Sequence, residues 1–151
     1  MSILPNIKTI RGGTHPLGTG DFTTIQSWED WASTKTNPHQ WAECYGGCNL
    51  GLFNVSSWSS TPTSSGYPRI FASSGEAHGG VLDRGPLILP SVSGVNNIAV
   101  NYTKVEGVGS TRGFNIDLNL ASNVTIENCW AKVDDGIGFK ADKYFDIPVN
   151  S

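Results

Sequence analysis

Two pairs of repeated stretches limit the folds that this chain can adopt. Residues 97–100 (NIAV) and 123–126 (NVTI) share the order asparagine, apolar, small, apolar, and they lie 26 residues apart. Residues 113–116 (GFNI) and 136–139 (GIGF) are similar at a distance of 23 residues. A period in the low to mid twenties is the length of one coil of a solenoid. Because one coil cannot bury its own apolar face, the repeat predicts coils that stack on one another.

Asparagines near the predicted turns fit stacked coils. Asn96, Asn97, Asn119 and Asn123 are placed where a chain must bend between short strands. Asparagine tolerates the left-handed backbone conformation that turns require. Its side-chain amide can also bond to an asparagine in the coils above and below, as in the ladders of cross-β structures.

Short apolar runs separated by turns extend from residue 39 onward. Only 15% of the residues are charged, against roughly 25% in an average soluble protein, and glycine, serine, threonine and asparagine take their place. The predicted strands are residues 40–45, 52–58, 67–72, 87–89, 98–102, 103–106, 113–118, 124–130 and 136–139. The sequence therefore predicts an all-β fold, a short right-handed parallel β-helix.

One segment has the pattern of a helix, residues 23–34 (TTIQSWEDWAST). Thr23 with Gln26, and Ser27 with Asp30, have the spacing of a capping box. We expect this helix to cover the open end of the first coil, whose strand edges would otherwise pair with other chains. The apolar residues that share one face at helical spacing are Ile25, Trp28, Trp31 and Ala32.

The two ends of the chain are expected to make contacts with other molecules. Residues 1–20 are rich in glycine and proline and predict an irregular docking arm, followed by one β-helix domain over residues 21–151. A tail over about residues 141–151 is expected to cap the last coil, because exposed solenoid ends associate. The candidate interface residues are Ile3, Leu4, Ile7, Ile10, Trp41, Trp58, Tyr144, Phe145, Ile147 and Val149.

Charge and composition argue against several classes of partner. The net charge is −3 and no lysine or arginine cluster is present, so we expect no nucleic-acid partner. No apolar run approaches the roughly 20 residues of a membrane span, and residues 1–10 lack the apolar core of a signal peptide. The three cysteines, Cys44, Cys48 and Cys129, are an odd number without a second metal-binding pair, so neither a disulfide framework nor a metal or other cofactor is expected.

Several short motifs, taken in order, resemble a family of β-helix proteins that is common in bacteriophage genomes. The likeness covers roughly residues 18–140. It implies a non-catalytic virion component, made in the host cytoplasm: a capsid decoration (cement) protein or a head or tail surface protein. The partners so implied are other virion proteins and further copies of the chain, with a trimer as the common form. The motifs are residues 20–29 (GDFTTIQSWE), 42–45 (AECY), 58 (W), 67–70 (YPRI), 76–80 (EAHGG) and 102–107 (YTKVEG).

A second likeness suggests an alternative function. Residues 122–130 (SNVTIENCW), followed by 134–136 (DDG), are similar to the catalytic coil of polygalacturonase-type glycosidases. That resemblance implies a tailspike-like protein that binds or hydrolyses a surface polysaccharide, with Asp134 and Asp135 as the acid and base of inverting hydrolysis.

Two features of the sequence depart from the glycosidase pattern. Arg112-Gly113 stands about where that family carries Asp-Gly, and no histidine follows His78. An arginine beside Asp134 or Asp135 would hold the carboxylate ionised, which suits a salt bridge better than a general acid. His78 is expected to be a turn residue among glycines. We therefore expect no catalytic residues, with Asp134 and Asp135 as the alternative.

Overall fold

The computed structural model describes residues 4–47, 49–76, 85–89, 94–132 and 139–141. The strands in these ranges are β1 (Asn6–Ile10), β2 (Gln40–Cys44), β3 (Asn54–Val55), β4 (Arg69–Ala72), β5 (Leu87–Ile88), β6 (Asn96–Ile98), β7 (Lys104–Glu106), β8 (Gly109–Ser110), β9 (Phe114–Ile116), β10 (Thr125–Glu127), β11 (Trp130–Ala131) and β12 (Phe139–Ala141), and the helix is α1 (Ile25–Ala32). The prediction of a mostly β chain with one helix is confirmed.

The strands form three parallel sheets. Sheet A has the order β1-β2-β4-β7-β10, sheet B the order β5-β8-β11, and sheet C the order β3-β6-β9-β12. Every pair of neighbouring strands within them is parallel. From β4 to β12 the described strands follow the sheets in the order A, B, C three times. Each strand therefore pairs with a strand one such cycle earlier or later.

Alternation along each strand creates the core. In sheet A, Ala42, Ile70, Val105 and Ile126 occupy the same register position on four neighbouring strands, and all four are buried. Polar or partly exposed side chains flank them in the sequence, as expected for a strand with one buried face. The inward side chains of the three sheets and the apolar side of α1 belong to one cluster of buried residues.

The N-cap of helix α1 lies one residue later than the first residue of the predicted Thr23–Gln26 capping box. Thr24, not Thr23, is the N-cap, and its hydroxyl oxygen accepts a hydrogen bond from the backbone N–H of Ser27 at 3.2 Å. Ile25, Trp28 and Ala32 are buried, as their spacing predicts. The ring of Trp31 stays partly exposed under two lysine ammonium groups, Lys8 at 5.5 Å and Lys35 at 4.5 Å from its centroid.

The prediction of an irregular arm over residues 1–20 is wrong for Asn6–Ile10. These residues form β1, which pairs along its whole length with β2, and the side chain of Ile10 is completely buried. The chain then turns back, so that Phe22 donates its N–H to the carbonyl of Thr9 at 3.0 Å and accepts from Arg11 at 3.0 Å. The β-branched residues of β1 favour a strand, a signal that the neighbouring glycines and prolines obscured.

The repeated stretches stack differently from the way their sequences suggest. Residues 97–100 and 123–126 contribute to different sheets, because Ile98 pairs with Ile116 in sheet C and Ile126 with Val105 in sheet A. The second repeat does join two neighbouring strands, β9 and β12, but Phe114 lies beside Phe139, two residues away from the predicted register. A shift of two residues keeps the same face inward, so the face pattern alone cannot reveal it.

Other boundaries also differ from the predictions. The predicted strand 98–102 is β6, which ends at Ile98, and Tyr102 adopts a left-handed conformation with φ of 60°. The predicted strand 124–130 is divided into β10 and β11 by Asn128, whose φ is 50°. No helix within the described ranges is long and apolar enough to cross a membrane.

Candidate binding face

The outward side of sheet A carries a cluster of rings and charges, which we call the aromatic face. Trp41, Arg69 and Lys104 lie at one register position on β2, β4 and β7, and Glu43, Phe71 and Glu106 lie at the next outward position. Their inward neighbours are the core residues, so alternation directs these side chains away from the core. With two residues that precede the strands, the aromatic face comprises His39, Trp41, Tyr67, Arg69, Phe71, Lys104 and Glu106.

Arg69 is the centre of the aromatic face. Its guanidinium carbon lies 4.5 Å from the ring centroid of Trp41 and 4.1 Å from that of Phe71. The Nε–H donates to Oε2 of Glu106 at 2.6 Å, and the two side chains are 25% and 23% exposed. A planar guanidinium is suited to contact ring faces and a carboxylate together. Arg69 thereby connects three strands and has a fixed orientation.

A second group of rings extends the face toward the start of the strands. The ring of His39 lies 5.1 Å from that of Trp41 and 5.2 Å from that of Tyr67. The backbone N–H of Tyr67 donates to Nδ1 of His39 at 3.3 Å, and burial lowers the pKa of His39 below its ordinary value. His39 is therefore a neutral packing residue at neutral pH. The ammonium of Lys104 lies 4.5 Å from the ring centroid of Tyr67.

Neighbouring side chains engage two carboxylates on this side of sheet A. Glu106 is paired with Arg69, and Glu43 accepts hydrogen bonds from the hydroxyls of Tyr45 at 3.3 Å and Ser73 at 3.1 Å. The face therefore offers rings, one lysine ammonium and fixed polar groups to a partner.

A further cluster joins His15 to Glu76. The side chain of His15 is 7% exposed, its Nδ1 accepts the backbone N–H of Leu17 at 3.1 Å, and its Nε2 lies 3.2 Å from Oε1 of Glu76. Nδ1 is an acceptor, so Nε2 carries the proton and donates to Glu76. Oε2 of Glu76 accepts from the backbone N–H of Gly46 at 3.0 Å, and this hydrogen bond is the main reason why the pKa of Glu76 is lowered.

Sequence reasoning missed the His15–Glu76 pair. The two residues are 61 positions apart, and no local pattern connects them. The pair ties the glycine-rich loop after β1 to the turn after β4, which is a structural role. Among the described residues, no group of three or more histidine, cysteine, aspartate and glutamate side chains is arranged to hold a metal ion.

The predicted interface residues are dispersed. Leu4 and Ile7 are 81% and 46% exposed, and Ile7 is the neighbour of Trp41 in sheet A. The prediction of Ile10 as an interface residue is wrong. Its side chain is buried in the core, because it lies on the inward side of β1. Trp41 belongs to the aromatic face. Trp58 is only partly exposed and packs against the core.

The remaining predicted site residues lie outside the described ranges. They are Ile3, Cys48, His78, the alternative catalytic pair Asp134 and Asp135, and the tail residues Tyr144, Phe145, Ile147 and Val149.

The chain matches no family model, no curated protein sequence and no solved structure. The resemblance to phage β-helix proteins, and the local likeness to glycosidases, accordingly stay predictions.

Proposed function

We propose that this chain is a non-catalytic structural component of a bacteriophage-like particle, acting as a capsid decoration (cement) protein or as a head or tail surface protein. We further propose that its fold is a short right-handed parallel β-helix and that it docks through the aromatic face. The observation that carries the docking proposal is the cluster in which Arg69 lies between Trp41 and Phe71.

The order of the strands supports the β-helix. A chain that visits three parallel sheets in constant order, three times in succession, winds around a common core. Stacked asparagines on sheet C are consistent with this arrangement. Nδ2 of Asn97 donates to Oδ1 of Asn54 at 3.0 Å, and Nδ2 of Asn115 donates to Oδ1 of Asn97 at 2.8 Å.

The composition of the aromatic face supports a role in docking. Tryptophan, tyrosine and arginine are the residue types that contribute most to binding energy at protein interfaces. Trp41, Tyr67 and Arg69 are held by hydrogen-bonded strands and by one another. Binding then costs little side-chain entropy, because these groups are already ordered before the partner arrives.

The partner that fits the resemblance is another particle protein or a further copy of this chain. A two-fold dimer would join the same surface of both protomers, whereas a trimeric ring would join two different surfaces of neighbouring protomers. In either assembly we propose the aromatic face as one contact surface, and the exposed apolar side chain of Ile7 extends it. A trimer is the assembly expected from the resemblance.

The first test is the native mass of the purified chain, measured by light scattering after size exclusion. Ile7→Asp places a charge beside Trp41 of the aromatic face. The control Val95→Asp places a charge beside sheet C, on a residue that is 43% exposed against 46% for Ile7. We expect the wild type and Val95→Asp to be oligomers and Ile7→Asp to dissociate. A monomeric wild type would contradict self-association through this face.

The second test addresses the particle itself. Mass spectrometry of particles purified from cells that carry the gene should detect the chain in stoichiometric amounts with the other particle proteins. If the chain is abundant in those cells but absent from their particles, the proposal of a virion component fails, whatever its native mass.

A further inference from the structure

We propose that a cleft beside sheet C binds a neutral saccharide, a function beyond the structural role proposed above. The cleft has a volume of about 320 Å³ and is bounded by the loop after β3, by the turn after β6 and by the segment after β9. The residues that line the cleft include Trp58, Ser60, Thr61, Pro62, Asn101 and Leu120.

Hydrogen bonds hold two walls of the cleft in place. The indole Nε1 of Trp58 donates to Oε1 of Glu29 at 3.0 Å, and the backbone N–H of Ser59 donates to the carbonyl of Ser33 at 2.8 Å. On the opposite wall, Oδ1 of Asn101 accepts from the backbone N–H of Ser122 at 2.8 Å. The cleft is therefore formed before any ligand enters, as is usual for small-molecule sites.

Two of the four non-glycine residues with positive φ among the described residues lie at or next to the cleft. Ser57, which lines the cleft, has φ of 55°, and Tyr102, which follows Asn101, has φ of 60°. A left-handed conformation is unfavourable for residues other than glycine, and such positions tend to cluster at ligand sites. This observation is independent of the chemistry of the lining.

The lining selects the class of ligand. None of the described residues that form the cleft is charged, so a charged ligand would lose water without gaining a counter-charge. An entirely apolar ligand would cover the hydroxyls of Ser57 and Thr61 and the amide of Asn101, and would leave these groups without water or a partner. A neutral sugar ring has an apolar face for Trp58, Pro62 and Leu120, together with hydroxyls that both donate and accept.

Two polar groups at the cleft have bonding capacity to spare. Asn101 uses Oδ1 for Ser122, which leaves the two protons of Nδ2 for a ligand hydroxyl. Oγ of Ser60 is buried without a hydrogen-bond partner among the described residues. Because Ser60 lines the cleft, the proposal assigns a ligand hydroxyl as the partner of this group. A buried polar group without a partner is costly, and a bound hydroxyl would remove that cost.

Saturation-transfer NMR with the full chain tests the proposal. The probes are cellobiose, maltose and N-acetylglucosamine, with galacturonic acid as the charged comparison. We expect at least one neutral probe to bind saturably, while galacturonic acid does not. If no neutral probe receives magnetisation, or if galacturonic acid binds equally well, the assignment of a neutral-saccharide site is overturned.

Variants locate the site. Asn101→Asp keeps the oxygen that accepts from Ser122 and removes the Nδ2 donor, so we expect affinity to fall about fivefold or more, the effect of one hydrogen bond. Leu120→Ala should also weaken binding, whereas Leu17→Ala, an equally exposed leucine elsewhere (66% against 64%), should not. Unchanged affinity in both Asn101→Asp and Leu120→Ala would place the ligand elsewhere and contradict the proposal.

The saccharide test and the particle test can contradict their proposals independently of each other. Asn101 and Leu120 lie outside the aromatic face, so their variants should leave the native mass unchanged. A chain that binds no sugar but is present in particles would contradict only the cleft assignment, and a chain that binds sugar but is absent from particles would contradict only the virion role.

Discussion

The carboxylate of Glu29 accepts a hydrogen bond from the indole Nε1 of Trp58 at 3.0 Å, which joins helix α1 to the segment after β3. The same oxygen accepts the backbone N–H of Ser56 at 3.1 Å. Gln26, one turn earlier, accepts the backbone N–H of Asn54 at 2.7 Å. Two helix side chains thus accept backbone N–H groups from Asn54 in β3, the first strand of sheet C, and from Ser56 just after it.

Glu29 is expected to make stability fall as pH rises. Only 4% of its surface is exposed, and burial raises its pKa above the ordinary value of 4.5, although the bonds from Ser56 and Trp58 act in the opposite direction. The folded chain then binds more protons than the unfolded chain just above pH 4.5, so this group's contribution to the free energy of unfolding declines as pH rises through the folded pKa.

Substitutions separate the charge of Glu29 from its hydrogen bonds. Glu29→Gln keeps an acceptor for Trp58 and Ser56 and should remove the decline, so its stability relative to the wild type should increase from acid to neutral pH. Glu29→Ala leaves two donors unpaired and should cost about 2–4 kcal/mol. Urea unfolding across that pH range measures both. A wild type and Glu29→Gln with parallel pH profiles would show that the carboxyl group has no raised pKa.

Arg69→Lys should destabilise the chain although it preserves the charge. An ammonium cannot contact the rings of Trp41 and Phe71 and also meet Glu106 with the geometry of a planar guanidinium. The pair is partly exposed, so we expect a loss of only about 1 kcal/mol in the free energy of unfolding. Lys104→Arg, which keeps a cation near Tyr67, should change it by less than about 0.5 kcal/mol. Equal effects of the two substitutions would contradict the central role of Arg69.

Two isoleucines of β1 should differ sharply in their effect on stability. Ile10→Ala removes a completely buried side chain and should cost about 2–5 kcal/mol. Ile7→Ala, on the same strand but 46% exposed, should cost about 0.5 kcal/mol or less. Denaturant titrations of both variants provide the comparison.

Deletion of residues 1–18 should prevent folding, because it removes β1 and the buried side chain of Ile10. A folded deletion variant would show that β1 is dispensable.

Asn97, the middle member of the asparagine stack on sheet C, should stabilise the fold through its two hydrogen bonds to the neighbouring asparagines. Asn97→Ala removes the bonds to both Asn54 and Asn115 and should lower the free energy of unfolding by about 2 kcal/mol. Asn119→Ala, at an exposed turn position, is the matched control and should have little effect. Thermal unfolding of Asn97→Ala and Asn119→Ala measures the two changes in stability. A larger loss for Asn119 than for Asn97 would rule out the stack as a stabilising element.

The sequence by itself determined the local features of this chain. The alternation of apolar and polar residues indicated short strands, and the spacing of Ile25, Trp28 and Ala32 placed the helix and its buried side. It also predicted asparagine stacking, although only Asn97 of the four predicted turn asparagines belongs to the stack, together with Asn54 and Asn115. These properties depend on neighbours in sequence, so a pattern of a few residues is enough to reveal them.

Only the tertiary structure decided which strands lie together and which side chains meet. The asparagine neighbours on sheet C are separated by 43 residues in one case and 18 in the other, because the loops between strands differ greatly in length. A pattern with a period of two looks the same in every register that preserves the buried face. The partners of Arg69 and Glu29 are 37 and 29 residues away in the sequence. They therefore become apparent only in the folded chain, where the strands and the helix pack on one core.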